Sequence, residues 1–305
     1  MRVLVTGATG FVGSAVVHEL ITAGHQVIGL ARSDAGAASL AAQGAAVAPG
    51  SLEDLDSLRR GAETAEAVIH TGFVHDFSRF AEACEIDRRA IEVLGATLEG
   101  SERPLLVTSG VAVRAEAMAT EADPAAAPTS AYPRASEAAA LALAARGVRA
   151  SVVRLPTLVH GAGDRGFVPH LIALARETGV SAYIGDGLNR WPSVHRRDAA
   201  RVYGLALEQN DAEGPWHAVA DEGVPFREIA ALIAERLGLP LATLSPAEAE
   251  QHFGWFAMMA SFDGPTSSDR TRARLGWSPQ EANLLADIAT AGYFERRCWA
   301  SAGEA

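Results

Sequence analysis

The feature that most constrains this chain is a glycine-rich turn near its start, in which three glycines recur at every third position. The turn, residues 7–13, follows an apolar run and precedes a helical pattern over residues 12–23. Glycine at such a turn permits positive φ, close approach of the backbone to a phosphate and tight packing of helix on strand. Unpaired N–H groups at the helix start attract anions. The turn predicts a diphosphate site formed by Gly7, Thr9, Gly10, Phe11, Val12 and Gly13; glycines that serve only the turn itself are the alternative.

The first 155 residues have a pattern typical of a parallel α/β sheet. Short, continuous apolar runs alternate with alanine-rich helical segments, as in repeated strand–helix–strand units. The runs are too apolar for a sheet with one solvated face, so we expect helices on both faces. The predicted strands are residues 2–6, 26–31, 45–48, 67–71, 104–109 and 150–155. Predicted helices include residues 12–23, 52–60 (opened by a capping box at Ser51) and 76–98.

The remainder of the chain has a less regular pattern. Residues 156–187 are rich in glycine and proline around one helical stretch, residues 168–177, and indicate an irregular insertion. A strand at 191–195, a helix at 198–208 and the segment 215–220 are expected to rejoin the sheet. We therefore predict a doubly wound parallel sheet, residues 1–155 completed within 188–220. A smaller, mostly helical substrate lobe would consist of residues 156–187 and 221–305.

Composition and charge exclude several classes of protein. With 305 residues, of which 49% are hydrophobic and 21% charged, the chain can bury a large core and is not disordered. A net charge of −11 without a basic run argues against nucleic acid or an anionic membrane as the main partner. No apolar stretch reaches the roughly 18 to 20 residues of a membrane span. The two cysteines, Cys84 and Cys298, form no disulfide framework. We expect a cytoplasmic protein.

The end of the second predicted strand bears on the choice of dinucleotide. Sites for NAD usually place Asp or Glu there to bind the ribose hydroxyls, but this chain has Arg32 and Ser33, with no carboxylate before Asp34. A guanidinium and a hydroxyl match the 2′-phosphate of NADP, which we therefore predict; a solvated arginine is the alternative for Arg32. Ligands lie beyond the carboxyl ends of parallel strands. Further cofactor contacts are expected at Ser51, Leu52, Thr71, Gly72, Phe73, Thr108, Leu155 and Pro156.

These motifs resemble the short-chain dehydrogenase/reductase superfamily, specifically its extended and atypical members of the NAD-dependent epimerase/dehydratase type. The resemblance covers most of the chain. It rests on T-G-x-x-G-x-x-G from Thr6, the strand end 106–110, R-L-P from Arg154 with His160-Gly161, and V-H-x-x-D-A-A from Val194. It implies a Rossmann-type fold, a nicotinamide dinucleotide, and hydride transfer to or from a carbonyl carbon. In that family a serine, a tyrosine and a lysine carry the reaction, the last two in a Y-x-x-x-K motif.

Only part of that catalytic motif is present. Ser109 matches the family serine, whose hydroxyl binds the developing oxyanion. Tyr132 matches the tyrosine, but Ser136 stands where the lysine should be, and a serine cannot lower the pKa of a phenol. In a second register, S-x-x-x-R, Arg134 takes the place of the lysine. A solvated Arg134 paired with Glu137 is the alternative.

Two further residues bear on this region. Pro133 pushes the residue before it out of the helical conformation and is itself favoured at the first helical position. Tyr132 is therefore expected just outside the helix. Asp87 falls where the family often has an asparagine linked to the lysine, so both partners have changed together. Proton delivery by Tyr132 or by water stays open.

The sequence as a whole predicts an NADP-dependent reductase or dehydrogenase acting on a ketone or aldehyde through Ser109, Tyr132 and Arg134. Two alternatives stay open: a dinucleotide-binding regulator without catalysis, and a nucleotide-sugar epimerase or dehydratase, which Arg32 and the missing lysine disfavour. No histidine pair has the spacing of a metal site. A homodimer through the predicted helix 76–98 is expected from the resemblance. Substrate contacts, with core packing or surface as the alternative, are expected at Phe73, His75, Val159, His160, Arg190, Trp191 and His195.

Overall fold

The computed structural model describes residues 1–111, 117–124, 127–130, 132–209, 214–290 and 292–295; Cys298 lies outside them. The strands are β1 (Arg2–Thr6), β2 (Gln26–Ala31), β3 (Ala46–Pro49), β4 (Ala67–His70), β5 (Leu105–Gly110), β6 (Ala150–Leu155), β7 (Leu158–His160), β8 (Ser181–Ile184), β9 (Arg190–His195), β10 (Trp216–His217), β11 (Asp221–Pro225) and β12 (Leu241–Leu244). The helices are α1 (Phe11–Thr22), α2 (Asp34–Ala42), α3 (Leu55–Glu63), α4 (Phe80–Leu98), α5 (Ser136–Ala145), α6 (Phe167–Thr178), α7 (Arg196–Glu208), α8 (Phe226–Leu237), α9 (Pro246–Phe253), α10 (Ala257–Ala260), α11 (Asp269–Leu275) and α12 (Leu284–Thr290).

The main body is a parallel sheet whose strands, within the described residues, follow the order β10-β6-β5-β4-β1-β2-β3. One face packs on α1 and α7 through an apolar cluster that includes Val16, Leu20 and Val202. The other face packs on α3, α4 and α5 through a cluster that includes Leu58 and Ile91. Burial on both faces explains the continuous apolar strands, and the doubly wound prediction is confirmed. The chain turns in opposite directions from β1, so a crevice opens at the carboxyl ends of β1 and β4.

Two predicted helix starts are shifted in the structure. The Asp54 carboxylate accepts a hydrogen bond from the Ser57 N–H at 3.1 Å and so caps α3, whereas the Ser51 hydroxyl accepts from the Asp54 N–H at 3.2 Å. The predicted capping box at Ser51 is therefore wrong: Ser51 shapes the loop before the helix. The predicted helix 76–98 opens with a 3₁₀ turn, Phe77–Arg79, and becomes α-helical at Phe80.

The strand predicted at residues 191–195 does not rejoin the main sheet. β9 pairs in parallel with β7 and antiparallel with β11, forming a separate three-stranded sheet, and β10 alone completes the main sheet from this region. Trp191 faces the core of the smaller lobe, whereas Val194 belongs to the cluster beneath the main sheet. The strand is buried because both halves of the molecule cover it, and the sequence does not distinguish this burial from that of a strand of the main sheet.

The smaller lobe is more mixed in structure than the sequence predicts. Besides α6, α8, α9, α10 and α12 it contains the β11-β9-β7 sheet and a parallel pair, β12-β8. Its core is aromatic, with Trp191, Phe226 and Phe256 each fully buried. Across the described part of the chain, no helix combines the length and the apolar character needed to cross a membrane.

Candidate functional site

The glycine-rich turn has a shape that side chains would not fit. Gly7 adopts φ +65°, and a Cβ on it would lie 2.6 Å from the Gly72 Cα. A Cβ on Gly13 would lie 2.1 Å from the Gly7 carbonyl oxygen, so α1 packs directly on the turn. No side chain caps α1 at Gly10. The first-turn N–H groups of α1 therefore remain for an anion, and this cradle fits the diphosphate of a dinucleotide.

The opposite wall of the crevice comes from the segment after β4. The Thr71 hydroxyl donates to the Thr6 carbonyl oxygen at 2.8 Å, which ties the end of β4 to the end of β1. A Cβ on Gly72 would lie 2.9 Å from a methyl carbon of Leu52, so Leu52 covers this glycine. The structure thus brings Leu52, Thr71 and Gly72 to the same strand edge as the glycine-rich turn.

Arg32 and Ser33 lie where β2 ends and α2 begins. The Ser33 hydroxyl caps α2 by accepting a hydrogen bond from the Gly36 N–H at 3.2 Å. Arg32 is exposed, and within the described residues no acid pairs with it. A Cβ on Gly36 would lie 3.2 Å from the Thr9 methyl carbon, so the start of α2 is next to the glycine-rich turn.

The carboxyl end of β5 is fixed by a buried hydrogen-bond pair. The Thr108 hydroxyl donates to the His70 carbonyl oxygen at 2.7 Å and lies 2.7 Å from the Tyr203 hydroxyl. Burial raises the pKa of Tyr203, which therefore stays protonated and donates to Thr108. Thr108 holds β5 against β4 and α7, and the half-buried Ser109 follows it at the strand edge. Both bonds engage the Thr108 hydroxyl, which leaves that hydroxyl less free for the predicted contact with the cofactor.

Arg134 lies at the start of α5, and two neighbours hold it. Its Nε–H donates to the Ser136 hydroxyl at 3.1 Å, and its guanidinium carbon lies 4.7 Å from the centre of the Phe73 ring. Glu137 is not its partner. The Glu137 carboxylate instead pairs with the Arg154 guanidinium at 2.6 and 2.9 Å in the interior. The alternative of a solvated Arg134 bound to Glu137 is therefore wrong.

No lysine is available to replace the one missing from the motif. All 26 basic residues of the chain are arginines. The charge of Arg134 reaches its surroundings: burial and this guanidinium together lower the pKa of His75. Arg134 also acts on the Tyr203 hydroxyl, which binds Thr108 beside Ser109.

Tyr132 lies outside the helix, as predicted. Its backbone N–H donates to the Thr129 hydroxyl at 3.0 Å, and α5 begins four residues later at Ser136. Its side chain is 47% exposed, and its ring centre lies 6.0 Å from that of Phe80. Phe80 in turn contacts Phe73, whose ring also contacts His75. Tyr132, Phe73 and His75, predicted separately, thus belong to one aromatic cluster around Arg134.

The residues predicted as substrate contacts beyond β6 are placed mostly in the interior. Trp191 has no exposed surface, and its indole N–H donates to the Phe262 carbonyl oxygen, so it is a core residue. His160 is also fully buried: its Nδ1 lies 2.7 Å from the Asp287 carboxylate and its ring 5.4 Å from that of His195. Trp191 and His160 are therefore core residues, which was the alternative to a substrate contact.

Other predicted residues beyond β6 have mixed roles. The Arg190 guanidinium forms a two-bond ion pair with Asp263, which ties β9 to the segment before α11. Leu155 and Val159 pack against the cluster beneath the main sheet, and Pro156 is buried. These contacts fix the junction of the two halves.

Sequence reasoning missed Arg196, the first residue of α7. Its guanidinium carbon lies 5.1 Å from the centre of the Phe11 ring, and no acid pairs with it within the described ranges. Burial and the neighbouring Arg197 lower the pKa of Arg196. Phe11 and Arg196 are 185 positions apart in the sequence, so no local pattern signals their contact. Arg196 brings an unpaired positive charge to the glycine-rich turn.

Comparisons with known proteins agree with this geometry. The model of the "NAD dependent epimerase/dehydratase family" matches residues 3–219. An uncharacterized protein of Schizosaccharomyces pombe is 50% identical over 96% of this chain and 100% of its own length. A 2-alkyl-3-oxoalkanoate reductase of Stenotrophomonas maltophilia is 28% identical over 79% of this chain and 77% of its own. A dTDP-glucose 4,6-dehydratase of Streptomyces venezuelae, solved with NAD bound, has a TM-score of 0.77 at 20% identity, covering 96% and 97% of the two chains.

The chain belongs to the NAD-dependent epimerase/dehydratase family, the extended branch of the short-chain dehydrogenase/reductases. Its fold is the Rossmann type that this family shares. The chain is thus an oxidoreductase of that family, whose members include reductases as well as sugar epimerases and dehydratases.

Proposed function

We propose that the chain is an NADPH-dependent reductase of a ketone or aldehyde. The observation that carries this proposal is the placement of Arg134, a cation held between Ser136 and the Phe73 ring in a chain without lysine. The 3-oxo substrate named for the Stenotrophomonas maltophilia relative supports a ketone as the reacting group. The reverse reaction, oxidation of the alcohol, uses the same groups.

The glycine-rich turn and Arg196 would hold the diphosphate of the coenzyme, and Arg32 would bind its 2′-phosphate. Arg32 is exposed beside the Ser33 cap of α2, where an anion also gains from the helix N-terminus. The Arg196 guanidinium lies against the Phe11 ring, within the turn. The bound coenzyme supplies a hydride to the carbonyl carbon.

The residues of the chain would manage the oxygen of the carbonyl group. As its double bond to carbon is reduced, negative charge develops on that oxygen. The Ser109 hydroxyl donates a hydrogen bond to it, and the Arg134 guanidinium stabilises the charge. Tyr132, or a water molecule, then delivers the proton that completes the alcohol. Tyr132 is suited to this role by its place in the aromatic cluster with Phe80, although no lysine assists it.

The test is oxidation of NADPH over a panel of aldehydes and ketones that includes 3-oxo esters and acids. We expect turnover with at least one member, a preference for NADPH over NADH, and loss of turnover in Ser109→Ala. Binding of NADPH without turnover of any carbonyl compound would favour the regulator instead. Turnover of a nucleotide sugar with NAD would favour the epimerase or dehydratase, to which the fold is equally suited.

The homodimer through α4 also remains a proposal. The outer side of that helix carries an ion-pair network in which Arg88 binds both Glu85 and Glu92. One chain has a mass of 31.8 kDa. If the pairing occurs, sedimentation equilibrium would show a single species of twice that mass.

A further inference from the structure

A continuous row of buried polar side chains runs from Arg134 into the interior. The Ser136 hydroxyl lies 2.6 Å from one Asp87 oxygen, and the other Asp87 oxygen lies 3.0 Å from His70 Nε2. His70 Nδ1 lies 2.7 Å from the Thr6 hydroxyl. Ser136, Asp87, His70 and Thr6 are each at most 1% exposed. Together with Arg134 they are called the Arg134 network below.

The charges of this network are arranged around Asp87. A buried carboxylate is costly unless it is hydrogen-bonded and balanced by positive charge. His70 faces it through Nε2 at 3.0 Å, and His70 Nδ1 lies 2.7 Å from the Thr6 hydroxyl, so both ring nitrogens have a hydrogen-bond partner. The Ser136 hydroxyl donates to Asp87, which leaves its oxygen lone pairs to accept from Arg134. Ser136 therefore connects the negative charge of Asp87 to the positive charge of Arg134.

The network also joins the elements that surround the crevice. Thr6 and His70 end β1 and β4, Asp87 lies in α4, and Ser136 opens α5. The Nε–H of Arg134 bonds to Ser136, while the face of the Phe73 ring lies against the guanidinium. The helix dipole of α5 disfavours a cation at this end, so the guanidinium needs the charge of Asp87 to stay there.

We propose that Ser136 and Asp87 are positioning residues that hold the Arg134 guanidinium at the catalytic site in place of a lysine ammonium. His70 contacts the Asp87 carboxylate, and Thr6 contacts His70 in turn. Ser136 thereby links the Arg134 guanidinium to the Asp87 carboxylate through two hydrogen bonds, at the position where the motif has a lysine. The effect on turnover rests on the proposed function, whereas the position of the guanidinium does not.

The position is tested first without catalysis, by NMR titration of His75. Burial and, after it, the charge of Arg134 lower the pKa of His75, so Arg134→Ala should raise that pKa above its value in the unmodified protein. Ser136→Ala changes no charge but releases the guanidinium, and we expect it to reproduce at least half of the same rise. The matched control is Ser181→Ala, another buried serine whose hydroxyl donates to a backbone carbonyl far from the site. It should leave the His75 pKa unchanged, and His75→Gln assigns the signal.

Two outcomes overturn the proposal. In one, Ser136→Ala keeps the His75 pKa of the unmodified protein while Arg134→Ala shifts it, which means that Ser136 does not hold the guanidinium. In the other, Arg134→Ala itself has no effect on His75, which means that the guanidinium is not where the network places it. Neither result depends on finding a carbonyl substrate.

The second test is a double-mutant cycle on turnover. We expect Ser136→Ala to lower kcat about tenfold, with the KM and the coenzyme Kd within about twofold of those of the unmodified protein. Ser136→Ala should cause no further loss in the Arg134→Ala background, since it acts through that residue. Additive losses would show that Ser136 contributes independently of Arg134. Asp87→Asn, checked for folding by its melting temperature, should likewise lower kcat and should cause no further loss in the Arg134→Ala background.

Discussion

The Ser136 hydroxyl lies 2.6 Å from the Asp87 carboxylate, at the two positions where the sequence resemblance led us to expect a lysine and an asparagine. The pair is buried; Arg134 donates to Ser136, and the second Asp87 oxygen lies 3.0 Å from His70 Nε2. The loss of the lysine in this chain is therefore accompanied by a second arrangement of charge at the same place.

Arg134→Ala should lower turnover about a hundredfold, the scale of losing one donor to a developing oxyanion. The coenzyme Kd should stay within about twofold, because the diphosphate cradle is formed elsewhere. Steady-state kinetics together with NADPH titration measure both effects. Arg146→Ala, which removes an exposed arginine at the other end of α5 paired with Glu99, is the control and should leave turnover unchanged. Equal turnover in the two variants would remove Arg134 from the mechanism.

Restoring the motif of the family should restore activity. In the Arg134→Ala background, the double change Ser136→Lys and Asp87→Asn supplies a lysine and its asparagine partner at the matching positions. We expect this triple variant to regain about tenfold of the lost turnover, because a cation again lies at the start of α5. Rates of NADPH oxidation measure the recovery. The control is Ser136→Lys with Asp87 retained, and a triple variant no faster than Arg134→Ala would argue against a shared role.

Arg32 should determine the choice of coenzyme. Arg32→Ala should weaken NADPH binding about tenfold, which is about 1.4 kcal/mol, and leave NADH binding unchanged, since only NADPH carries the 2′-phosphate. Calorimetric titration of both coenzymes gives the two constants. Arg59→Ala removes another exposed arginine, from α3, and should alter neither. A similar loss for both coenzymes would mean that Arg32 does not contact the 2′-phosphate.

Arg196 should contribute to binding of both coenzymes. Arg196→Ala removes a charge next to Phe11, so NADPH and NADH should both bind about three- to tenfold more weakly. Their affinities should also fall less steeply with salt, because one screened attraction is gone. Titrations at low and high salt measure this. Arg197→Ala is the neighbouring control, since Arg197 is exposed and faces Glu281. Unchanged affinity and salt dependence in Arg196→Ala would exclude this role.

Asp164 should give the smaller lobe a specific dependence on pH. Burial raises the pKa of Asp164 to about 6, above its ordinary value of 3.8. Its contribution to stability is therefore complete below about pH 4 and is lost as the pH rises through 6, by at most about 3 kcal/mol. The melting temperature of Asp164→Asn should rise relative to that of the unmodified protein between about pH 4 and 7. Asp186 is exposed, and Asp186→Asn is the control: its melting temperature should differ from that of the unmodified protein by the same amount at every pH. A pH-independent difference in Asp164→Asn would contradict the prediction.

The sequence predicts the main sheet and the glycine-rich turn well because both depend on local patterns. Continuous apolar strands and glycines at fixed spacing reflect burial on two faces and close backbone contact, which each segment shows by itself. The sequence does not separate β9 from the main sheet, because local pattern does not show whether a buried strand lies between two halves or within one sheet. Its partners, β7 and β11, are set by tertiary packing.

The candidate site was predicted less completely. Tyr132 outside α5 follows from Pro133 alone, and the structure agrees. The partner of Arg134 could not be found in this way, since Ser136, Asp87 and His70 meet only when β4, α4 and α5 are packed together. Arg196 and Phe11 likewise come together through packing of α7 on α1. Long-range contacts of this kind leave no periodic signal in the chain.

The central claim is that the turn at residues 7–13 binds the diphosphate of a nicotinamide dinucleotide, and calorimetric titration with NADPH and NADH tests it most directly. We predict saturable binding of NADPH at one site per chain, tighter than that of NADH. Binding of both should be lost in Gly13→Ala, in which the added methyl group meets the Gly7 carbonyl oxygen. Gly204→Ala, where a helix glycine has room for the methyl group, should bind as the unmodified protein does. Absence of heat with either coenzyme, or unchanged binding in a folded Gly13→Ala variant, would contradict the account.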